Sequence, residues 1–94
     1  MMLILQKQEG QQGSFYIEED NRRVAEIEYT LSGEKTLTID HTEVDEQLQG
    51  KQIGVRLVDA VADFARAHQY KVVPKCSYAA ALMQRESRFS DVLG

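Results

Sequence analysis

The apolar positions along this chain change their period once, and that change divides it into two halves. In the first half they alternate. The segment SFYIEE sets Phe15 and Ile17 against Tyr16 and Glu18, the two-residue repeat of a strand with one buried face. Asp20-Asn21, residues that tolerate positive φ, then predict a tight hairpin turn. RVAEIEYTL places Ala25, Ile27, Tyr29 and Leu31 on one face and Glu26 and Glu28 on the other, before Ser32-Gly33 turns the chain again. KTLTIDHTEV puts Leu37, Ile39 and His41 in one phase, with Thr36, Thr38, Asp40 and Thr42 in the other. With the opening LILQ, these segments predict an antiparallel meander of about four strands.

From Ile53 the spacing becomes helical. Ile53, Leu57, Val58, Val61, Phe64 and Ala65 form one stripe, and Arg56, Asp59, Asp63 and Arg66 form a polar one. A helix is expected from about Lys51 to His68, with His68 complementing the dipole at its C-terminus. Arg56 with Asp59, and Asp63 with Arg66, read as surface pairs. YKVV predicts a short buried strand ended by Pro74, which has no amide to donate. Ala79 to Met83 predict a short helix, and Phe89, Val92 and Leu93 a last packed turn. A helix between two strands, placed after a meander, requires a right-handed crossover, so the last strand lies parallel to the strand before the helix. The expected class is α+β, a mixed sheet with helices packed on it, and 94 residues suit one domain spanning 1–94.

Composition narrows the function classes. Hydrophobic residues at 43% and charged residues at 28% are ordinary globular values, which argues against disorder and against a disulfide scaffold. The single Cys76 suits a reducing compartment, the MLIL run is too short for a signal sequence, and no run could span a bilayer. A cytoplasmic protein with no membrane partner is expected. Charge is unevenly placed: residues 1–47 carry eleven acids and four bases, whereas residues 48–94 carry four acids and seven bases. Such a division suits an anionic ligand on one side and a cationic one on the other. With a net charge of -4 and no basic stripe set with aromatics, nucleic acid is disfavoured as a partner. One cysteine and two distant histidines do not make a metal-ligand set.

The loop QLQGKQIG joins the last meander strand to the helix. A helix start after a glycine leaves unpaired amides facing one concavity, where the dipole adds about half a positive charge, and anions bind such places readily. Lys51 and Arg56 could add charge. The plainer reading makes Gly50 a turn residue and Gly54 a close packing point between helix and sheet. A Walker loop is excluded because its first glycine and its Ser or Thr are missing. A Rossmann fingerprint is excluded because the loop follows a meander instead of opening a βαβ unit.

Gln47, Gly50 and Gly54 in QLQGKQIG resemble the Q/R-x-x-G-x-G/A motif of GNAT-fold acetyltransferases. More narrowly, HTEV, the glycine loop and V-P-x-C-x-Y, in that order from His41 to Tyr78, resemble the small single-domain GNAT-like N-acetyltransferases. The resemblance implies a minimal GNAT-like fold, acetyl-CoA (coenzyme A) as co-substrate, and transfer of an acetyl group to an amine, either a small molecule or a lysine side chain. It implies that the amides of Gln49, Gly50, Lys51, Gln52, Ile53 and Gly54 seat the pyrophosphate, with Gln47 and Val55 also among the coenzyme-binding residues. Thr42 and Val44 would run beside the pantetheine, with Cys76 and Tyr78 near the thioester. Gln52 departs from the motif, which prefers Gly or Ala there, and its side chain must turn away from the pyrophosphate or reshape its seat. The chain also looks too short for the helices and strands that build the acceptor site of larger relatives.

Four residues are candidates for the chemistry. Cys76 follows a strand end, starts a helix and adjoins Lys75, so amides and a cation could lower its pKa and make it a nucleophile; its plainer reading is an inert buried thiol. His41 is either a base at the acetyl pocket or a hydrogen-bonded histidine at the core edge. Glu43 is either an acceptor for an amine proton or a solvated loop carboxylate. Tyr78 either protonates the leaving thiolate or packs beside the coenzyme. The competing functions are a non-catalytic module or sensor that holds coenzyme A or an acyl-CoA, and an interaction domain with no ligand.

Overall fold

The computed structural model describes residues 3–94; Met1 and Met2, the second of which begins the MLIL run, lie outside them. Five strands form one sheet in chain order: β1 (Leu5–Glu9), β2 (Gln12–Glu19), β3 (Arg22–Ser32), β4 (Thr36–Val44) and β5 (Lys71–Pro74). The first four pair antiparallel as the expected meander, and β5 pairs parallel to β4. Between them runs α1 (Ile53–His68); α2 (Ser77–Arg85) follows β5. The opening strand begins two residues later than LILQ, and its run LQKQE is polar because it lies at the sheet edge, mostly exposed. Asp20 and Asn21 both adopt left-handed backbone, as the tight β2–β3 turn requires.

The sheet buries one face. Phe15, Ile17, Ile27, Tyr29, Leu37 and Ile39 meet Leu57, Val58, Val61 and Ala65 of α1 in one core, which Leu82 and Met83 of α2 extend. Tyr29 is 1% exposed, yet its hydroxyl is satisfied: it accepts from Gln6 Nε2 and donates to Gln8 Oε1, each at 2.8 Å. Its ring lies over Gly13, where a Cβ would sit 2.4 Å from it. Glu26, Glu28, Asp40, His41 and Glu43 lie on the other face, which neither helix covers.

The chain after α2 returns to α1 and β5. Phe89 is fully buried, and Val92 and Gly94 exchange backbone hydrogen bonds with Val72 on the open side of β5. Arg66 holds this segment: it donates to both carboxylate oxygens of Asp91, at 2.7 and 3.0 Å, to the Arg88 carbonyl and to Asp63. Arg88 in turn pairs with Asp59. The Asp63–Arg66 pair is thus one arm of a network that fastens the C-terminal segment. No described helix is long and apolar enough to cross a membrane.

Candidate functional site

Two irregularities part β4 from β5 and open a cleft between them. The first is a bulge. Opposite β3, Tyr29 faces Ile39 and Glu28 faces His41, so Asp40 is an extra residue on β4. From there on the phase is reversed: Thr42 and Val44 pair with the buried Ile27 and Ala25, while His41 and Glu43 pair with Glu28 and Glu26 on the outer face. The second is Pro74, the last paired residue of β5, opposite Ile39. Without an amide it cannot continue the ladder. The amides of Lys75 and Cys76 then both donate to the Ile39 carbonyl, at 3.0 and 3.3 Å, and the chain turns away into α2. Beyond Ile39, β4 continues against β3 alone.

The cleft so formed has a volume of about 540 Å³. Thr42 and Val44 form its strand wall, and Leu48, Gln49 and Gly50 its loop wall; Gln52, Ile53, Gly54 and Tyr78 close the helix side. The β4–α1 loop is shaped before any ligand enters. Asp45 donates to the Val24 carbonyl, Leu48 is buried, and Gln49 Nε2 reaches the Val44 carbonyl at 3.3 Å. Gly50 has φ of 84° and Gln52 a φ of 62°, both left-handed. Helix α1 starts at Ile53, where the helical spacing begins and two residues after the expected start near Lys51, because Gln52 occupies the cap position in that conformation. Its first turn contains no acidic residue and its cap makes no side-chain hydrogen bond, so the helix start is free to receive an anion.

Gly54 is a packing point, though against α2 rather than the sheet: a Cβ there would lie 2.7 Å from Tyr78 Oη. Tyr78 thus rests its ring on the first turn of α1 while remaining 43% exposed. Burial raises its phenol pKa, Arg85 lowers it, and Glu86 and Cys76 raise it, leaving it above its ordinary value and protonated at neutral pH.

Cys76 sits one contact behind the strand wall. Its Sγ lies 3.4 Å from Thr42 Oγ1, to which the neutral thiol donates. Burial pushes its pKa up, but hydrogen bonds from the Thr42 side chain and from the backbone of Ala79, Tyr78 and Thr42 favour the thiolate, and the balance falls below the ordinary thiol value. The backbone groups at the start of α2 act as expected. Lys75 is not among the causes.

Not every residue of the expected site comes together here. Gln47 and Lys51 are exposed and Val55 packs against the core, all three outside the cleft lining. His41 corrects its expected phase with Leu37 and Ile39, since the bulge turns it outward; Glu43 follows it, and their side chains lie 3.4 Å apart. With Glu26 they bring three potential ligand atoms within 4.8 Å of one another on the exposed face, a grouping that spacing along the chain does not reveal. Leu48 was missing from the expected lining; its one signal is being the sole apolar residue between Val44 and Ile53.

A family model described as GCN5-related N-acetyl-transferase matches residues 14–92. Among solved structures, a GCN5-like protein from Staphylococcus aureus is 33% identical, with a TM-score of 0.76 over 96% of this chain and 87% of that one. A GNAT family acetyltransferase from Elizabethkingia anophelis, solved with acetyl-CoA bound, shares the fold at 20% identity and a TM-score of 0.64, covering 80% of this chain and 52% of that one. An aminoglycoside acetyltransferase from an uncultured soil metagenomic sample does so at 20% and 0.67, over 82% and 57%. No match is found among curated proteins.

Proposed function

The chain belongs to the GCN5-related N-acetyltransferase family, and on that premise we propose that the β4–β5 cleft takes acetyl-CoA and passes its acetyl group to an amine. The observation that carries this reading is what the cleft gathers: an anion-receptive helix start, Thr42 and Val44 along the strand wall, Tyr78 against the first turn of α1, and Cys76 one contact behind Thr42. A thioester carried on a long arm with a diphosphate needs such surroundings. The diphosphate sits at Gly50 to Gly54, the pantetheine follows Thr42 and Val44, and the acetyl group meets Cys76.

Transfer then runs in two steps. The Cys76 thiolate attacks the thioester carbon, a new C–S bond forms, and the coenzyme sulfur departs and takes the Tyr78 proton. A neutral amine next attacks the acetyl-cysteine; the N–C bond forms, the Cys76 thiolate is restored, and the amine proton returns to Tyr78. His41 and Glu43 enter neither step, because both face away from the cleft.

Incubation with acetyl-CoA and a panel of amines and lysine peptides, read by release of free coenzyme thiol, tests turnover. Intact mass tests the route: wild type gains one acetyl group and Cys76→Ala gains none. If Cys76→Ala turns over as fast as wild type, the amine attacks the thioester directly. A second reading, a coenzyme-binding module without turnover, is favoured by one observation: the chain spans just over half the length of the larger acetyltransferases it resembles. Binding without thiol release for any acceptor would decide for it. This reading suits the cytoplasm, where acetyl-CoA and a reduced cysteine coexist.

A further inference from the structure

Beside the phenol of Tyr29, Ser14 is the one buried polar side chain among the described residues, at 6% exposed. The two are satisfied differently. Tyr29 has Gln6 and Gln8 on its hydroxyl, whereas the Ser14 hydroxyl makes no hydrogen bond among the described residues. A hydroxyl taken out of water without a partner costs free energy, so a serine at this position calls for one. Register sets it on the outer sheet face, in a row across three strands: Ser14 pairs with Lys7 of β1 on one side and with Glu28 of β3 on the other. With strands about 4.8 Å apart, the Lys7 and Glu28 backbones stand about 10 Å apart, and only the small serine lies between them. Neither charged side chain has an ion-pair partner among the described residues.

The low serine leaves a hollow of about 210 Å³, which Lys7, Glu9, Arg23 and Glu28 also line. Arg23 is held in place there. Its guanidinium carbon lies 3.9 Å from the Tyr16 ring centroid and its Nη1 donates to Glu26 at 3.4 Å, so Nε and Nη2 keep N–H groups to give. The hollow therefore gathers two cations, two carboxylates and a hydroxyl in need of a partner. A ligand of one charge meets repulsion there as well as attraction, whereas a compact ligand carrying both charges meets a partner for each. We propose that this hollow binds a small zwitterion of the free α-amino acid class, its carboxylate on Lys7, Arg23 and the Ser14 hydroxyl and its ammonium on Glu28. The site shares no lining residue with the cleft beside β4 and opens on the other face of the sheet, so it stands whether or not the cleft takes a coenzyme.

Amide chemical shifts of isotope-labelled protein, titrated with the common L-amino acids in the absence of any coenzyme, give the readout. Saturable shifts are expected at Lys7, Ser14 and Glu28 with at least one of them. Its α-amide lacks the carboxylate and its deaminated acid lacks the ammonium, and each is expected to bind at least about tenfold more weakly, the worth of one hydrogen bond to a charged group. Ser14→Ala and Glu28→Gln are expected to weaken binding by a similar factor. Both change the outer face and leave the core intact, and urea unfolding checks that each remains folded. Equal binding by the α-amide or by the deaminated acid shows that a single charge suffices and overturns the proposal. Wild-type affinity in folded Ser14→Ala or Glu28→Gln overturns it as well. So do shifts that fall on the cleft instead of the outer face, and the absence of shifts with every amino acid at tens of millimolar.

Discussion

At Cys76 burial and hydrogen bonding pull in opposite directions, and the second prevails through few groups, of which Thr42 is the most accessible to test. The lowered pKa predicts that alkylation of the native thiol reaches half its maximal rate below the pH of about 8.5 typical of a free cysteine. Thr42→Val should move that midpoint upward, and a measured rate–pH profile checks it. The sign for stability follows. A folded-state pKa below the unfolded one contributes stability that is complete above the unfolded pKa and is lost as pH falls through the folded one. The two buried-face glycines make a second test. Gly13→Ala drives a methyl into the buried Tyr29 ring and should cost about 1–3 kcal/mol in urea unfolding. Gly54→Ala meets only the tip of the half-exposed Tyr78, so its stability should change little while coenzyme binding weakens as Tyr78 shifts. Residue chemistry was partly legible in the sequence: Cys76 and Tyr78 stand out in P-K-C-S-Y, whereas the Thr42 partnership joins residues far apart in the chain and needs the fold.

The elements followed from periodicity because each buries one face. Alternation in β2 and β3 and the helical stripe of α1 leave little freedom once the apolar residues must share a core. The β4 bulge was not legible. KTLTIDHTEV alternates without interruption, so nothing in it marks Asp40 as extra, and the phase assigned to His41 is the one an unbulged strand would have. Absorbing that extra residue in a bulge is what brings Thr42 and Val44 to the cleft. Deletion of Asp40 should close the bulge and leave Thr42 and Val44 facing inward, because Ile39 and His41 already oppose consecutive residues of β3. The expected outcome is a stably folded protein that still presents Thr42 and Val44 to the cleft, read by urea unfolding and by calorimetry with coenzyme A; marked destabilisation would show that the phase depends on the bulge.

For the whole molecule, part of the acidic half gathers on one surface, away from the cleft. The first half places Glu26, Glu28, Asp40 and Glu43 on the outer sheet face, while the cleft's loop and helix wall comes from the end of β4 onward. Glu26 and Glu43 oppose each other directly, an arrangement that costs stability. The C-terminal segment is an integral part of the core: Phe89→Ala should lower stability by about 3–5 kcal/mol in urea unfolding. Charge balance pointed to two ligand-facing sides, but only pairing register could say which strand face carries the acids. If the parted end of β4 and β5 is the coenzyme seat, coenzyme A must perturb the amides that line it. Titration of isotope-labelled protein with coenzyme A, followed by amide chemical shifts, is the test. Saturable shifts are expected at Thr42 to Val44, Gln49 to Val55 and Cys76 to Ala79. Shifts confined to the outer face around Glu28 and His41, or none at millimolar coenzyme, would contradict it.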